Sequence, residues 1–212
     1  MSYAENPRLS VCIEWINLGF VERGRTPREI IEKSIRHHLA ILSLSNTVIV
    51  LEDLGVDRSR IAVHNWVQKA DLQPADGESS DRVAVDQKVI RVNDEQCWLY
   101  AAVDPETNRI LHSRLFPTYT IPIARGFLTE LAEKHDVEDA LFLVGDADDL
   151  IGALRREDYS YLVEQHGFRN SVEHVFREVE HQISSFSNCF SHVDPPTAEA
   201  WLQAHTVWWN HA

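Results

Sequence analysis

The chain has 212 residues, an apolar fraction of 44% and a formal net charge of −13 from 33 acidic and 20 basic residues. That apolar content excludes global disorder, and the length supports either one large domain or a small module with a medium one. The sequence contains no stretch of about eighteen apolar residues and does not open on a basic segment followed by an apolar run. A cytoplasmic protein that neither spans a membrane nor is exported is therefore expected. Cys12, Cys97 and Cys189 fit no zinc spacing or disulfide framework and read as ordinary residues of a reducing compartment.

In chain order, the first clear element is TPREIIEKSIRHHLAILSLS. Thr26 reads as its N-cap, Pro27 as its first helical residue, and Ile30, Ile31, Ile35 and Leu39 as its apolar stripe. Ser45 is expected to cap a short helix through Leu54, with Thr47 to Leu51 on its packed side and a turn at Gly55. A further helix is expected to start at Asp57 or Ser59 and run through RSRIAVHNWVQKA. Residues 71–81, DLQPADGESSD, read as a linker. The period then changes to alternation: RVAVDQKVIRV, QCWLYAAV and RILHSRLFPT read as three antiparallel strands joined by turns at NDE and DPETN. A helix over 123–135, a buried strand in ALFLVGD, a helix over 149–157 and a short strand at YSYLV follow. A long helix from Asn170 and a last aromatic helix after Pro195 and Pro196 close the chain. This order is that of an α/β, ribonuclease-H-like mixed sheet flanked by helices, preceded by a small all-helical module. The expected division is 1–70 for the helical region, 71–81 for the linker and 82–212 for the sheet domain.

The pair of helices around Gly55 reads as a helix-turn-helix over about 36–70. Ile61, Val63, Trp66 and Val67 are expected to face a small core, which leaves Arg58, Arg60, His64, Asn65 and Lys69 for DNA phosphates and base edges. The bland alternative is a helical subdomain with solvated charges.

Three acids stand out in the remainder. Asp86 interrupts the first strand in its middle, where alternation sets Ala84, Asp86, Lys88 and Ile90 on one face. A carboxylate there is costly to desolvate unless paired or metal-bound. Asp146 ends a buried strand. Glu173 sits early in a helix beside the stripe Val172, Val175, Phe176, Val179 and Ile183. Taken singly, each acid is one of 33 and reads as a surface charge. Together, carboxylates from two neighbouring strands and a helix suit a divalent-metal site for phosphoryl transfer.

The sequence contexts of these acids resemble those of the insertion-sequence transposases of halophilic archaea, members of the DDE recombinase superfamily. LSLSNTVIVLEDLGVDRSRIAVHNWVQKADLQP is similar to that family's amino-terminal helix-turn-helix. VAVDQKVIRVNDEQCWLYAAVDPETNRIL, LFLVGDADDL and HGFRNSVEHVFREVEHQISSFSNCFSHVDPPTAEAWLQAHTVWWNH resemble the segments bearing its three catalytic acids. The likeness covers roughly residues 26–211. It implies catalytic and metal-binding roles for Asp86, Asp146 and Glu173, two Mg²⁺ or Mn²⁺ ions, and cleavage and joining of double-stranded DNA at element ends. It also implies a homodimer or higher oligomer as the active complex. Lys88, Arg169, Asn170 and Arg177 are expected to contact DNA near the acids. Two departures accompany the likeness. Where the family has a basic turn after its glutamate, this chain has REVEHQ, and Asp148 and Asp149 follow Asp146. They motivate an alternative, a DNA-binding remnant of a transposase without catalysis; a ribonuclease H is a weaker third reading.

The charge has its own implication. Phosphate binders normally show a basic footprint, yet only Lys33, Lys69, Lys88 and Lys134 are lysines here. Either DNA is not the partner, or the protein works in concentrated salt, where the Debye length falls to about 3 Å. Acid-rich, lysine-poor usage resembles that of halophilic proteins, and the second reading is the one adopted. The aromatic tail around Trp201, Trp208 and Trp209 is expected to be core.

Overall fold

The structure, a computed structural model, describes residues 15–21, 25–40, 42–164, 170–185, 190 and 193–212. Cys12, Cys189, Arg169 and the side chain of Ile183 lie outside the described residues.

Three helices come first: α1 (Arg28–Ala40), α2 (Leu44–Asp53) and α3 (Arg60–Ala70). Ile31, Ile35 and Leu39 of α1 are buried as its spacing dictates. The cap of α2 is Ser43, two residues before the expected Ser45; its hydroxyl accepts the Asn46 amide at 3.0 Å. Ser59 caps α3 by accepting the Ala62 amide at 3.2 Å. Gly55 adopts φ +76°, a left-handed conformation that costs glycine little. The α2–α3 connection spans 54–59, longer than the roughly three to four residues of a compact helix-turn-helix.

A mixed sheet follows, built from β1 (Arg82–Val92), β2 (Glu95–Asp104), β3 (Arg109–Phe116), β4 (Leu141–Val144) and β5 (Tyr161–Val163). Its order is β3-β2-β1-β4-β5; β1, β2 and β3 are antiparallel neighbours, and β4 and β5 run parallel to β1. This is the ribonuclease-H-like arrangement. The β1–β2 hairpin turns at Asn93 and Asp94, with φ of +50° and +64°, the two left-handed residues of a type I′ turn. The parallel strands need crossovers, and α4 (Ile121–Lys134) and α5 (Asp148–Arg156) supply them on one face. The other face is covered by α6 (Asn170–Ser185) and α7 (Pro195–His211).

Alternation along β1 sorts the two cores. Val83 and Val85 join Tyr100, Phe127, Phe142 and Val144 beneath α4 and α5. Ala84 and Ile90 join Leu143, Val172, Phe176 and Trp201 beneath α6 and α7. The second core continues into Ile35, Leu39 and Val67, so α1 and α3 share it with the sheet through α7. The segment at 71–81 is tied down as well: Leu72 and Ser80 are buried, Gly77 N donates to Lys134 O, and Ser79 bridges Asp136. Among the described residues no helix is long and apolar enough to cross a membrane.

Candidate functional site

Asp86 is half-buried in the middle of β1, opposite Ala101 of β2, on the face that α6 covers. One of its carboxylate oxygens accepts the Gln87 amide at 2.9 Å. Lys88 is half-buried two residues on, on the same face and opposite Leu99. Glu173 lies in the first turn of α6, half-buried next to the fully buried Val172. Val172, Val175, Phe176 and Val179 press α6 against β1 and β2, so Glu173 belongs to the helix that covers the Asp86 face. Asn170 and Arg177 are exposed on α6.

Asp146 is placed differently. The pairing of β1 with β4 runs from Arg82 opposite Leu141 to Ala84 opposite Leu143, so Asp86 stands two residues beyond the paired stretch of β1, and β4 ends at Val144. Leu143 packs toward α6 and Val144 toward α4 and α5. Gly145 is buried, and the exposed Asp146 follows it, past the last residue of β4. Among the described residues no three His, Cys, Asp or Glu side chains gather closely enough to hold a metal ion. Oxygen donors of the right kind for Mg²⁺ are present.

Asp149 is the acid that spacing alone did not single out. It is only 7% exposed, in the first turn of α5, and accepts the Tyr100 hydroxyl at 2.5 Å and the Gln87 side-chain amide at 3.0 Å. Burial, reinforced by this carboxylate, pushes the Tyr100 phenol far above its ordinary range, so the hydroxyl stays protonated as a donor. These bonds fasten the turn carrying Asp146 to β1 and β2. The only sequence signal was the second of two consecutive aspartates at a helix start, which also complements the helix dipole.

The α3 residues separate by helical angle. Val63, Val67 and Ala70 are buried. Ile61, expected in that core, is 69% exposed instead, because it lies on the opposite side of the helix. Arg60, Asn65 and Lys69 are exposed and His64 is half-buried. Arg58 braces the fold. Its guanidinium donates to Thr26 Oγ1 at 2.6 Å, to Arg25 O at 3.0 Å and to Asp57 O, tying the start of α1 to that of α3. The Thr26 hydroxyl, expected to cap α1, is thus engaged by Arg58. Arg60 and His64 also rim a cleft of about 460 Å³ between α3 and α7, with His38, Ser43, Phe190 and Trp201 on its other walls. Burial holds the His38 imidazole below its usual range, and its Nδ1–H donates to Leu42 O at 2.9 Å.

No protein-family model matches the chain. No curated protein matches it either. Among solved structures, it is similar to the catalytic core domain of BIV integrase, at 11% identity over 59% of this chain and 81% of that one, with a TM-score of 0.44. It is also similar to the HTLV-2 integrase catalytic core domain in complex with magnesium, in a trimeric form, at 7% identity over 60% of this chain and 83% of that one, with a TM-score of 0.44. A third is the simian T-cell lymphotropic virus intasome in complex with PP2A regulatory subunit B56 gamma, at 8% identity over 83% of this chain and 66% of that one, with a TM-score of 0.45. At these values the likeness concerns the fold alone.

Proposed function

We propose that this chain is a DNA-processing protein of the DDE transposase kind, a metal-dependent phosphoryl transferase with α2 and α3 as its helix-turn-helix reader. The observation that carries this reading is Asp86, a carboxylate in the middle of the central strand on the face covered by α6, the helix that carries Glu173. Mg²⁺ typically takes one or two protein carboxylates and completes its shell with water and substrate phosphate. Asp86 and Glu173 meet that requirement, and Asp146 is the third acid at the neighbouring strand end. When bound, such an ion polarises a phosphodiester and lowers the pKa of a water or a 3′-hydroxyl. Lys88, on the same strand face as Asp86, neutralises a phosphate beside the reacting group. Arg60, His64, Asn65 and Lys69 of α3, with Asn170 and Arg177 of α6, hold the duplex, and the active complex is a homodimer or larger.

The exposure of Asp146 favours a second reading. With Asp146 exposed beyond the end of β4, the fold also suits a transposase-derived protein that binds DNA without cutting it. One comparison separates the two. Wild type, Asp86→Asn and Glu173→Gln are assayed for cleavage and joining of duplex carrying the ends of the encoding element, at molar KCl with Mn²⁺, and for Mn²⁺ binding by calorimetry. The catalytic reading expects cleavage by wild type only and weakened Mn²⁺ binding in both variants. Equal cleavage by all three proteins sinks the assignment of these acids. Duplex binding without cleavage by any of them establishes the second reading.

A further inference from the structure

Ile61 has the highest exposure, 69%, of the large apolar side chains exposed on the described surface. Its contact with the protein is limited to the rim of the cleft between α3 and α7, since the buried side of α3 belongs to Val63, Val67 and Ala70. Ile61, Asn65 and Lys69 recur at four-residue spacing and form one outward ridge, with Arg60 beside it. From Arg58 to Ala70 there is no carboxylate, in a chain that carries 33. A ridge with an apolar tip, an amide fork, flanking cations and no acid complements a groove of DNA. It matches the major groove, where the thymine C5-methyl offers an apolar contact and the adenine edge offers a donor and an acceptor to an amide.

We infer that Ile61 is a base-reading residue: its branched side chain packs on a thymine methyl while Asn65 pairs with an adenine edge about two base-pair steps away. The spacing follows from the helix, since four residues rise about 6 Å, and base pairs are stacked about 3.4 Å apart. This inference rests on the reading of α3 as a DNA reader and adds the sequence class it takes, A·T pairs.

The test uses the full-length protein at molar KCl. Duplexes are selected from a randomised pool, and each thymine of the selected sequence is then replaced by deoxyuridine, which removes the methyl and nothing else. One position is expected at which this weakens wild-type binding about fourfold, the worth of one buried carbon. In Ile61→Ala the same replacement is expected to have no effect, with helical content unchanged. Methyl dependence that is absent, or that persists in Ile61→Ala, overturns the role of Ile61. In that case the DNA reading of α3 still stands if Lys69→Ala weakens duplex binding. Failure of any duplex to be enriched overturns the inference and the DNA reader together. An Ile61→Ala protein that binds DNA as before but sediments as a smaller species shows instead that the ridge joins two copies of the chain.

Discussion

Asp149 is a carboxylate held away from water by two neutral donors rather than by a cation. The hydroxyl it accepts belongs to Tyr100, which is fully buried, so losing the carboxylate strands a polar group with no route to solvent. Leaving a buried donor unsatisfied costs about 1–3 kcal/mol. We therefore expect Asp149→Ala to lower stability by about 2–3 kcal/mol, and Asp149→Asn, which retains an acceptor oxygen, by less. A denaturation series with Tyr100→Phe closes the cycle: the double variant should be clearly less destabilised than the sum of the singles. Strict additivity would show that the two groups do not depend on each other. The sequence pointed past this residue. Asp146 and Asp149 have the same chemistry and are three positions apart, and only the packing of α5 onto β1 and β2 decides which is buried. The same limit applies to Ile61, where hydrophobic type suggested core and helical angle dictated surface. The face of Asp86 was legible because alternation on both sides fixed it, and the side of α6 on which Glu173 lies because the apolar stripe beside it fixed the orientation of the helix.

At the scale of elements, α7 shows how periodicity can understate burial. An apolar stripe was expected, but every residue from Trp201 to Val207 is buried, including Gln203, His205 and Thr206. A helix buried all round lies between other layers, and α7 packs on β3 to one side and on α1 and α3 to the other. Its polar groups are mostly satisfied internally. Gln203 donates to Ser113 O at 2.7 Å, the Thr206 hydroxyl donates to Leu202 O, and Asn210 bonds both backbone groups of Ile110. Trp201 and His205 are the exceptions: Trp201 Nε1 and His205 Nε2 have no hydrogen-bond partner among the described residues, and His205, 1% exposed, stacks on Trp201 at 5.2 Å. Burial depresses its pKa to about 4, and burial with nearby Lys134 and Arg114 depresses that of His112 to about 3. The contact from His112 to Glu130 at 3.2 Å is therefore a hydrogen bond of a neutral imidazole, not an ion pair. Both shifts act in the same sense. The stability they support is present above the unfolded-state value near 6.5 and is lost as pH falls toward the folded-state values. Near pH 5 each histidine should remove roughly 2 kcal/mol. Denaturation midpoints followed from about neutral pH to pH 5 check this, with His205→Phe expected to show a shallower decline. An unchanged slope in that variant would mean that His205 titrates normally in the folded chain.

For the whole molecule, the succession of strands and helices along the chain was legible because each element carried its own period and its own stop. How the helices at the N-terminal end join the sheet was not, since it depends on α7 packing on both at once. Charge acts at this scale too. Repulsion among 33 acidic side chains extends about 10 Å at 0.1 M salt and about 3 Å at 1 M, so added salt should stabilise the compact state. DNA binding by an ordinary basic protein runs the other way, weakening with salt because releasing counterions into an already salty solution gains less entropy. In this chain the cations of α3 sit on a body of net charge −13. Low salt strengthens each cation–phosphate contact, yet it also strengthens repulsion between body and duplex and loosens the fold. We therefore expect affinity to pass through an optimum at high salt. Circular dichroism and duplex binding followed together across a KCl range of about 0.1–3 M would test this, because the Debye length falls below the distance between neighbouring surface charges within it. A chain fully folded and binding best at the lowest salt would show that its acidity serves no adaptation to salt. The three cations of the Arg58–Ala70 segment would then outweigh the repulsion of the whole, as in an ordinary counterion-releasing binder, and the halophilic reading alone would fall.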